Sequence, residues 1–242
     1  MIDKIFCVLL LAILTTAEIP SYIQVCGRRN PNLDECIRNS IDKIKYKFVE
    51  GIPELEVPSI NPLIVRNVKL ADLPNFKARA DNVKIYGLEK FTITKSHLDL
   101  DKKQIEAALK FDKLQIKADY DVDAKILIPV VGHGPIELET DNVSGKVTMR
   151  YKIIQRKGKN YVYFYTVTMK VEISDYKANF LHNGDVDSTL TTAINAALAD
   201  GKQEILDSTI PNVETKISEY ILDISNKICK HFTYEELFPD RE

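Results

Sequence analysis

The middle of the chain alternates between apolar and polar residues over an unusual length. From Leu114 to Val130 every even position is apolar or aromatic, and the odd positions from 115 to 125 are polar or charged. A period of two predicts a strand with one buried face. A strand over 114–130 would extend roughly 56 Å at about 3.3 Å per residue. Because ordinary strands are much shorter, this length predicts a long, strongly curved antiparallel sheet.

Further alternating runs flank this segment. The odd positions of 161–173 are apolar or aromatic, and a similar run covers 143–153. The sequence RKGKN at 156–160 predicts a hairpin turn between the two runs. A shorter run that begins at Val83 changes phase before Leu98, which indicates a β-bulge.

Both ends of the chain show helical spacing instead. Apolar residues recur every three or four positions from Leu33 to Phe48, and again from Leu190 to Phe232. The second segment would be about 64 Å long if it were one straight helix, but Pro211 predicts a kink or break. The apolar sheet face needs a cover of comparable length. The predicted fold is therefore α+β, with a long C-terminal helix wrapped by a highly curved, long-stranded antiparallel sheet.

The first residues have the pattern of a secretory signal. Lys4 precedes an apolar run over 5–14, which is shorter than the roughly 20 residues that a bilayer span needs. Small residues follow it, as cleavage requires. We predict a signal peptide over 1–17, an extracellular location and one mature domain over 18–242. An uncleaved anchor is the alternative for this run, and no later run predicts stable membrane insertion.

Charge and cysteine content narrow the function classes. Lys and Arg total 33 against 35 Asp and Glu, so the chain has no basic excess that would predict a nucleic-acid partner. Secretion permits disulfides, and Cys26 and Cys36 are the natural pair because they close a short loop. Cys229 remains, either buried near Leu222 or available for pairing between chains. Asn142 begins an N-glycosylation sequon.

A sheet rolled around one helix need not fill its interior. Where inward side chains are short, a narrow apolar tunnel can remain, although larger side chains could equally fill it. The hydroxyls of Tyr120, Tyr163 and Tyr165 could hold a ligand's polar group, or could bond the backbone within a core. The pattern predicts tunnel-lining residues on two strands and the helix: Ile116, Ala118, Tyr120, Val122, Ile126, Tyr163, Tyr165, Val167, Met169, Ile194, Leu198, Ile217 and Ile221.

Candidate catalytic and metal-binding residues do not form a recognisable site. His133 lies in VGHGP, where the flanking glycines and proline predict a turn between two long strands. Asp119, Asp121 and Asp123 lack the glycine and glutamate that a calcium loop requires, and they share the polar side of a strand. There is no Gly-x-Ser-x-Gly nucleophile elbow. The sequence therefore predicts neither an enzyme nor a cofactor or metal.

Several segments resemble the takeout and juvenile hormone-binding family of secreted insect proteins. They are the paired cysteines after the signal, GIPELEVPSINPLIVRNVKL at 51–70, LIPVVGHGPIELETDNVSGKV at 127–147, and YEELFP at 234–239. The resemblance implies a long helix rolled in a sheet around a tunnel for a terpenoid, fatty acid or hormone-like lipid. It also implies links to circadian or feeding physiology. The absence of a second cysteine pair favours the takeout branch, and the absence of tryptophan is a departure from many members of the family.

The leading hypothesis is thus a secreted, monomeric carrier of a small hydrophobic ligand, with an extracellular receptor as a further possible partner. An extracellular interaction or signalling protein with a filled core is the alternative. A lipid hydrolase is a third class that the sequence does not support.

Overall fold

The computed structural model describes residues 19–74, 76–125, 129–181 and 201–242. The predicted signal peptide lies outside these residues, as does the start of the predicted long helix. The described elements, in chain order, are α1 (Leu33–Glu50), β1 (Leu63–Val65), β2 (Val68–Leu73), β3 (Phe76–Tyr86), β4 (Thr92–Asp99), β5 (Gln104–Lys125), β6 (Pro129–Arg156), β7 (Lys159–Phe180), α2 (Lys202–Cys229) and α3 (Tyr234–Leu237). The predicted α+β class is confirmed.

The described strands form one curled antiparallel sheet. Strands β3, β5, β6 and β7 lie side by side in that order, with β1 and β2 paired to β3 and with β4 paired to the first part of β5. Strands β5, β6 and β7 contain 22, 28 and 22 residues. The predicted long strands are therefore confirmed. The free edges of the sheet are β7 on one side and β1, β2 and β4 on the other.

Alternation along β5 gives the sheet its two faces. Leu114 and Ala118 are buried, whereas Asp119, Asp121 and Asp123 are exposed. This is the arrangement that the period of two predicts, and the three aspartates lie on the outer face as expected.

Two turn predictions had different outcomes. Lys157 and Gly158 connect β6 to β7 with φ of +49° and +75°, which fits the two-residue turn preferred by hairpins and confirms the first. His133 instead lies inside β6, opposite Asp121, so the predicted turn there is wrong. A Cβ on Gly132 would lie 3.4 Å from the hydroxyl of Tyr120, and this glycine therefore makes room for a neighbouring ring.

The segment from Val83 to Leu98 is divided into two strands. A 3-10 turn at Leu88–Lys90 separates β3 from β4, and the register of β4 on β5 shifts between Ile93 and Lys95. The predicted bulge is therefore present, at the start of the second strand.

Helix α1 covers the free edge of β4. It ends at Gly51, where φ is +86°, as the sequence predicts. At its other end the Asp34 carboxylate accepts a hydrogen bond from the Leu98 amide at 2.7 Å and contacts His97 Nδ1 at 2.9 Å. The hydrogen bond with Asp34 raises the pKa of His97 above its usual 6.5. A helix side chain thus satisfies a strand amide that has no neighbouring strand.

Helix α2 covers the free edge of β7 in a similar way. The side-chain amide of Asn226 donates to the Phe164 carbonyl and accepts from the Phe164 amide, both at 2.9 Å. Asparagine therefore substitutes for the missing strand neighbour, because one side chain offers both a donor and an acceptor.

The same helix covers β7 further along. Ser218 Oγ accepts from the Met169 amide, and Glu214 Oε1 accepts from the Val171 amide, each at 2.9 Å. Glu214 is buried and its other oxygen binds Lys170 Nζ at 2.7 Å. We refer to Glu214, Ser218 and Asn226 with their β7 partners as the β7 seam.

At the opposite edge of the sheet, Asn212 Nδ2 of α2 donates to the Leu70 carbonyl of β2 at 2.8 Å. The helix therefore connects the two outer strands β7 and β2 of the curled sheet through side-chain hydrogen bonds.

Helix α2 runs through Pro211 without the break that the sequence predicts. Pro211 lacks the amide that would bond the carbonyl of Asp207, four residues earlier. Both residues are exposed, so water can solvate that carbonyl. The Thr215 hydroxyl also donates to the Pro211 carbonyl at 2.9 Å. The break prediction is wrong because this position lies on the solvent side of the helix.

The β7 seam leads to a stability prediction. Replacing Asn226 with Ala leaves both polar groups of Phe164 without a partner, and we expect a loss of about 2 kcal/mol in the free energy of unfolding. Urea denaturation measures it. Glu219→Ala on the exposed face of the same helix is the control and should change stability by less than about 0.5 kcal/mol. Equal losses in the two variants would contradict the role of the seam.

Candidate functional site

The concave face of the sheet carries small apolar side chains. Ala71, Ala78, Ala80 and Ala118 are 2%, 7%, 8% and 8% exposed. Ala80 and Ala118 belong to one cluster, whose other buried or partly buried members are Val65, Val68, Leu70, Val83, Ile85, Ile116, Tyr120, Ile136, Leu138, Ala178 and Phe180. The alanines limit how far this face can reach toward the helix.

Helix α2 presents an apolar stripe on its inner side. Thr215, Glu219 and Asp223 are exposed, and helical geometry places Ile217 and Ile221 on the opposite side. Both isoleucines are only partly buried. Ile217 and Ile221 therefore add partly accessible apolar surface to the side of α2 that lies opposite its exposed polar residues.

The residues predicted to line a tunnel, apart from Tyr163 and Tyr165, divide into three groups. Ile116, Ala118 and Tyr120 lie together in the inner cluster. Val122, Val167, Ile217 and Ile221 are partly buried, and Met169 is 6% exposed. Ile126, Ile194 and Leu198 lie outside the described residues. Which of these residues touch a ligand stays a prediction.

Tyr163 and Tyr165 do not face the interior. They are 42% and 52% exposed, whereas Phe164 between them is 5% exposed. The register of β6 on β7 shifts between Arg150 and Tyr151, which reverses the inward side of β7 near the hairpin. The prediction that both tyrosines point inward is wrong, because the alternating sequence does not reveal the bulge.

Polar groups without protein partners also lie on the inner surfaces. Thr140 is 5% exposed, and its hydroxyl has no hydrogen-bond partner among the described residues. It lies on β6 between Leu114 of β5 and Tyr176 of β7. The Tyr220 hydroxyl of α2 is likewise buried and unpartnered within the described part of the chain. Burial raises the pKa of Tyr120, Tyr176 and Tyr220.

Thr140 was not predicted as a site residue, because the alternating run that the sequence shows begins three residues later, at Val143. Ile136, Leu138 and Thr140 share one strand side, and the inward side then changes to Val143. Asn142, with φ of +50°, lies at the change. The sequence run that begins at Val143 therefore hides the inward position of Thr140.

A groove of about 530 Å³ follows the contact between β7 and α2. Val167, Met169 and Leu222 supply its apolar surface, and Lys170 and Glu214 supply charge. The groove is open to solvent, and Glu214 and Ser218 of the β7 seam are among the residues that line it.

The cysteines behave as expected. Cys26 and Cys36 form the predicted disulfide. Cys229 is free and partly buried against a cluster that includes Leu222, which agrees with the burial alternative. Burial raises the pKa of the Cys229 thiol to about 12.

In the described ranges, no group of three or more His, Cys, Asp or Glu side chains is arranged to hold a metal ion. No helix of those ranges is long and apolar enough to cross a membrane.

Comparison with known proteins identifies the family. The sequence profile described as haemolymph juvenile hormone binding protein (JHBP) matches residues 5–239. The chain belongs to this family. The family match covers both the curled sheet and α2, in agreement with the resemblance found in the sequence.

Relatives of this JHBP family member include two fly proteins and one solved structure. The chain is 25% and 24% identical to the circadian clock-controlled protein daywake of Drosophila melanogaster and of Drosophila yakuba, over 86% of this chain and 78% of each relative. Takeout 1 of Epiphyas postvittana has the same fold, with a TM-score of 0.77 and 18% identity, over 90% of this chain and all of that one.

The JHBP-family chain keeps its glycosylation sequon accessible. Asn142 is an exposed residue of β6, and its carbonyl accepts a hydrogen bond from the Ser174 hydroxyl at 3.2 Å. Modification of Asn142 stays a prediction.

The thiol of Cys229 gives a direct test of packing at the C-terminal end of α2. With a pKa of about 12, little thiolate exists at pH 8, and the thiolate is the reacting species. We expect iodoacetamide to label native protein at least about tenfold more slowly than protein unfolded in urea. Intact mass measures the labelling, and Cys229→Ser is the control. Equal rates would show that the thiol is accessible.

Proposed function

We propose that this protein is a secreted, monomeric carrier of a small hydrophobic ligand, which it holds between the concave sheet face and α2. The observation that carries the proposal is the apolar inner cluster of the sheet, which is built partly on alanines and in which Ile116 and Tyr120 of β5 keep accessible surface. Membership in a family described as hormone-binding supports it.

The expected energetics are sufficient for such a ligand. Burying about 15 methylene groups at roughly 0.8 kcal/mol each contributes about 12 kcal/mol. Loss of motion and ordering of side chains cost about 4–15 kcal/mol. A terpenoid, fatty acid or hormone-like lipid is of the required size. Binding and release without chemistry would then be the whole activity.

The physiological setting forms a second part of the proposal. The family description refers to haemolymph, which supports secretion and cleavage of residues 1–17. Two relatives are described as circadian clock-controlled, and this supports clock control of the present protein. A link to feeding physiology rests on the family resemblance alone.

The carrier proposal is tested by adding volume to the inner face. We expect native mass spectrometry to show one molecule of oleic acid, farnesol or methoprene bound per chain, and Ala118→Phe to weaken binding at least about tenfold. A new aromatic side chain occupies the ligand's volume, whereas in a filled core it would instead destabilise the fold by about 1–3 kcal/mol. Thermal unfolding distinguishes the two results.

Asp121→Phe on the outer face of β5 is the matched control and should leave binding unchanged. Failure of all three ligands to bind, together with a strongly destabilised Ala118→Phe variant, would favour the alternative of an interaction protein with a filled core.

Thr140 provides a separate prediction about the ligand's polar end. The unpartnered hydroxyl is available to bond a carboxylate, hydroxyl or carbonyl group. We expect Thr140→Val to reduce affinity for oleic acid by about fivefold to tenfold, equivalent to one hydrogen bond of about 1–1.5 kcal/mol. The affinity for a hydrocarbon of similar length should not change. Isothermal titration measures both, and parallel losses would show that Thr140 acts only through packing.

A further inference from the structure

Positive charge is concentrated in one segment of a chain that is otherwise balanced. Between positions 146 and 171 there are seven basic residues and no acidic one, although the net charge of the chain is −2. This segment forms the end of β6, the turn and the start of β7. Its basic residues are Lys146, Arg150, Lys152, Arg156, Lys157, Lys159 and Lys170.

The tip of this hairpin extends past its neighbour in the sheet. Strand β5 begins at Gln104, which lies opposite Arg150. From Tyr151 to Arg156, β6 pairs with β7 alone among the described strands. The inner side of the tip is covered, because Tyr151 and Val162 are 2% and 5% exposed in a cluster with residues of α1 and α3. Its outer side is not covered by any described element.

The outer side combines cations with tyrosine rings. Lys152 lies opposite Tyr163, and its Nζ is 5.4 Å from the centre of that ring. The guanidinium of Arg156 lies 5.2 Å from the ring centre of Tyr161. Tyr163 and Tyr165 are about half exposed. We name this surface the basic tyrosine face: Arg150, Lys152, Ile154, Arg156, Tyr161, Tyr163 and Tyr165.

These cations have no acidic partners in the described part of the chain. Arg150 Nε donates to the neutral side chain of Gln104 at 3.0 Å, and no ion pair includes Arg150, Lys152 or Arg156. Further along the same sheet surface, by contrast, Lys117 pairs with Glu137 at 2.6 Å.

Two acidic side chains at the margin of this surface bind neutral amides instead of its cations. Glu106 accepts a hydrogen bond from Gln104, and Glu235 accepts one from Asn160. The hydrogen bond from Asn160 also lowers the pKa of Glu235. Both carboxylates keep their charge, but among the described residues neither forms an ion pair with a cation of the basic tyrosine face.

We propose that the basic tyrosine face docks this protein on the surface of an anionic lipid bilayer. Lysine and arginine near a negatively charged leaflet each contribute to attraction. Tyrosine rings are suited to the headgroup level, where one end of the ring is apolar and the other is hydrated. The two strands present these groups side by side on one flat surface, so several can contact lipid together.

This contact differs in kind from the proposed carriage of a ligand. The face lies on the outer side of the hairpin tip. Of the residues predicted to line the interior it includes only Tyr163 and Tyr165, and Tyr165 also borders the groove between β7 and α2. Docking therefore stands whether or not the interior holds a ligand.

Vesicle binding tests the proposal with the whole secreted chain. In 0.1 M NaCl we expect co-sedimentation with vesicles of 70% phosphatidylcholine and 30% phosphatidylserine, and none with pure phosphatidylcholine. The variant Lys152→Glu/Arg156→Glu should bind at least about tenfold more weakly. The control Lys84→Glu/Lys95→Glu, at exposed positions of β3 and β4, changes the net charge equally and should bind within about twofold of the native protein.

The absence of tryptophan from the sequence allows a direct reporter of contact. Tyr165→Trp should show a blue-shifted emission with the anionic vesicles. Tyr46→Trp on α1, where the native residue is 58% exposed, should show no shift. Equal loss of binding in both charge variants, a shift at position 46 alone, or capture by heparin without vesicle binding would each overturn the proposal. Circular dichroism confirms that every variant is folded.

Discussion

The stability of a curled sheet with free edges depends on hydrogen-bond partners for the backbone groups of its outer strands. Backbone amides and carbonyls at an edge either bind water, bind another chain or find a partner within the fold. Here helix side chains are those partners. Asp34 bonds the edge of β4, Asn212 bonds β2, and Asn226 bonds both polar groups of Phe164 on β7. The helices thus complete the sheet as well as cover its apolar face.

This way of closing the fold explains the composition of α2. One side of the helix is polar where it meets β7, with Glu214 buried and Ser218 in contact with a strand amide. The inner side is apolar, with Ile217 and Ile221. One face of the helix must therefore supply hydrogen-bonding groups to β7, and the adjacent face must be apolar. A purely apolar helix would bury the sheet but would leave the β7 edge without hydrogen-bond partners.

The sequence was sufficient to predict features that rest on local signals. Long alternation predicts β5, helical spacing with Gly51 predicts α1, and two cysteines after the start predict the disulfide. The edge contacts could not be predicted, because Asn226 and Phe164 are 62 positions apart and no periodicity connects them. The outward position of Tyr163 depends on a bulge whose register shift is set by pairing between strands.

Two wrong predictions, the turn at His133 and the helix break at Pro211, were based on glycine and proline. Both residues usually mark turns or helix ends. In this fold Gly132 makes room for Tyr120 inside a strand, and Pro211 lies where water can replace the lost hydrogen bond. The inner cluster on β5 was predictable from alternation alone. The buried hydroxyl of Thr140 was not, because the inward side of β6 changes near Asn142.

In this fold, the register of the strands and the attachment of α2 to the sheet depend on different groups. Backbone ladders hold the strands in register, and they are indifferent to side-chain identity. Individual side chains hold the boundary between helix and sheet. Substitution at Glu214 or Ser218 can therefore loosen or tighten that boundary while the architecture is inherited unchanged. Within one lineage, the tightness of that boundary can therefore diversify without any new fold.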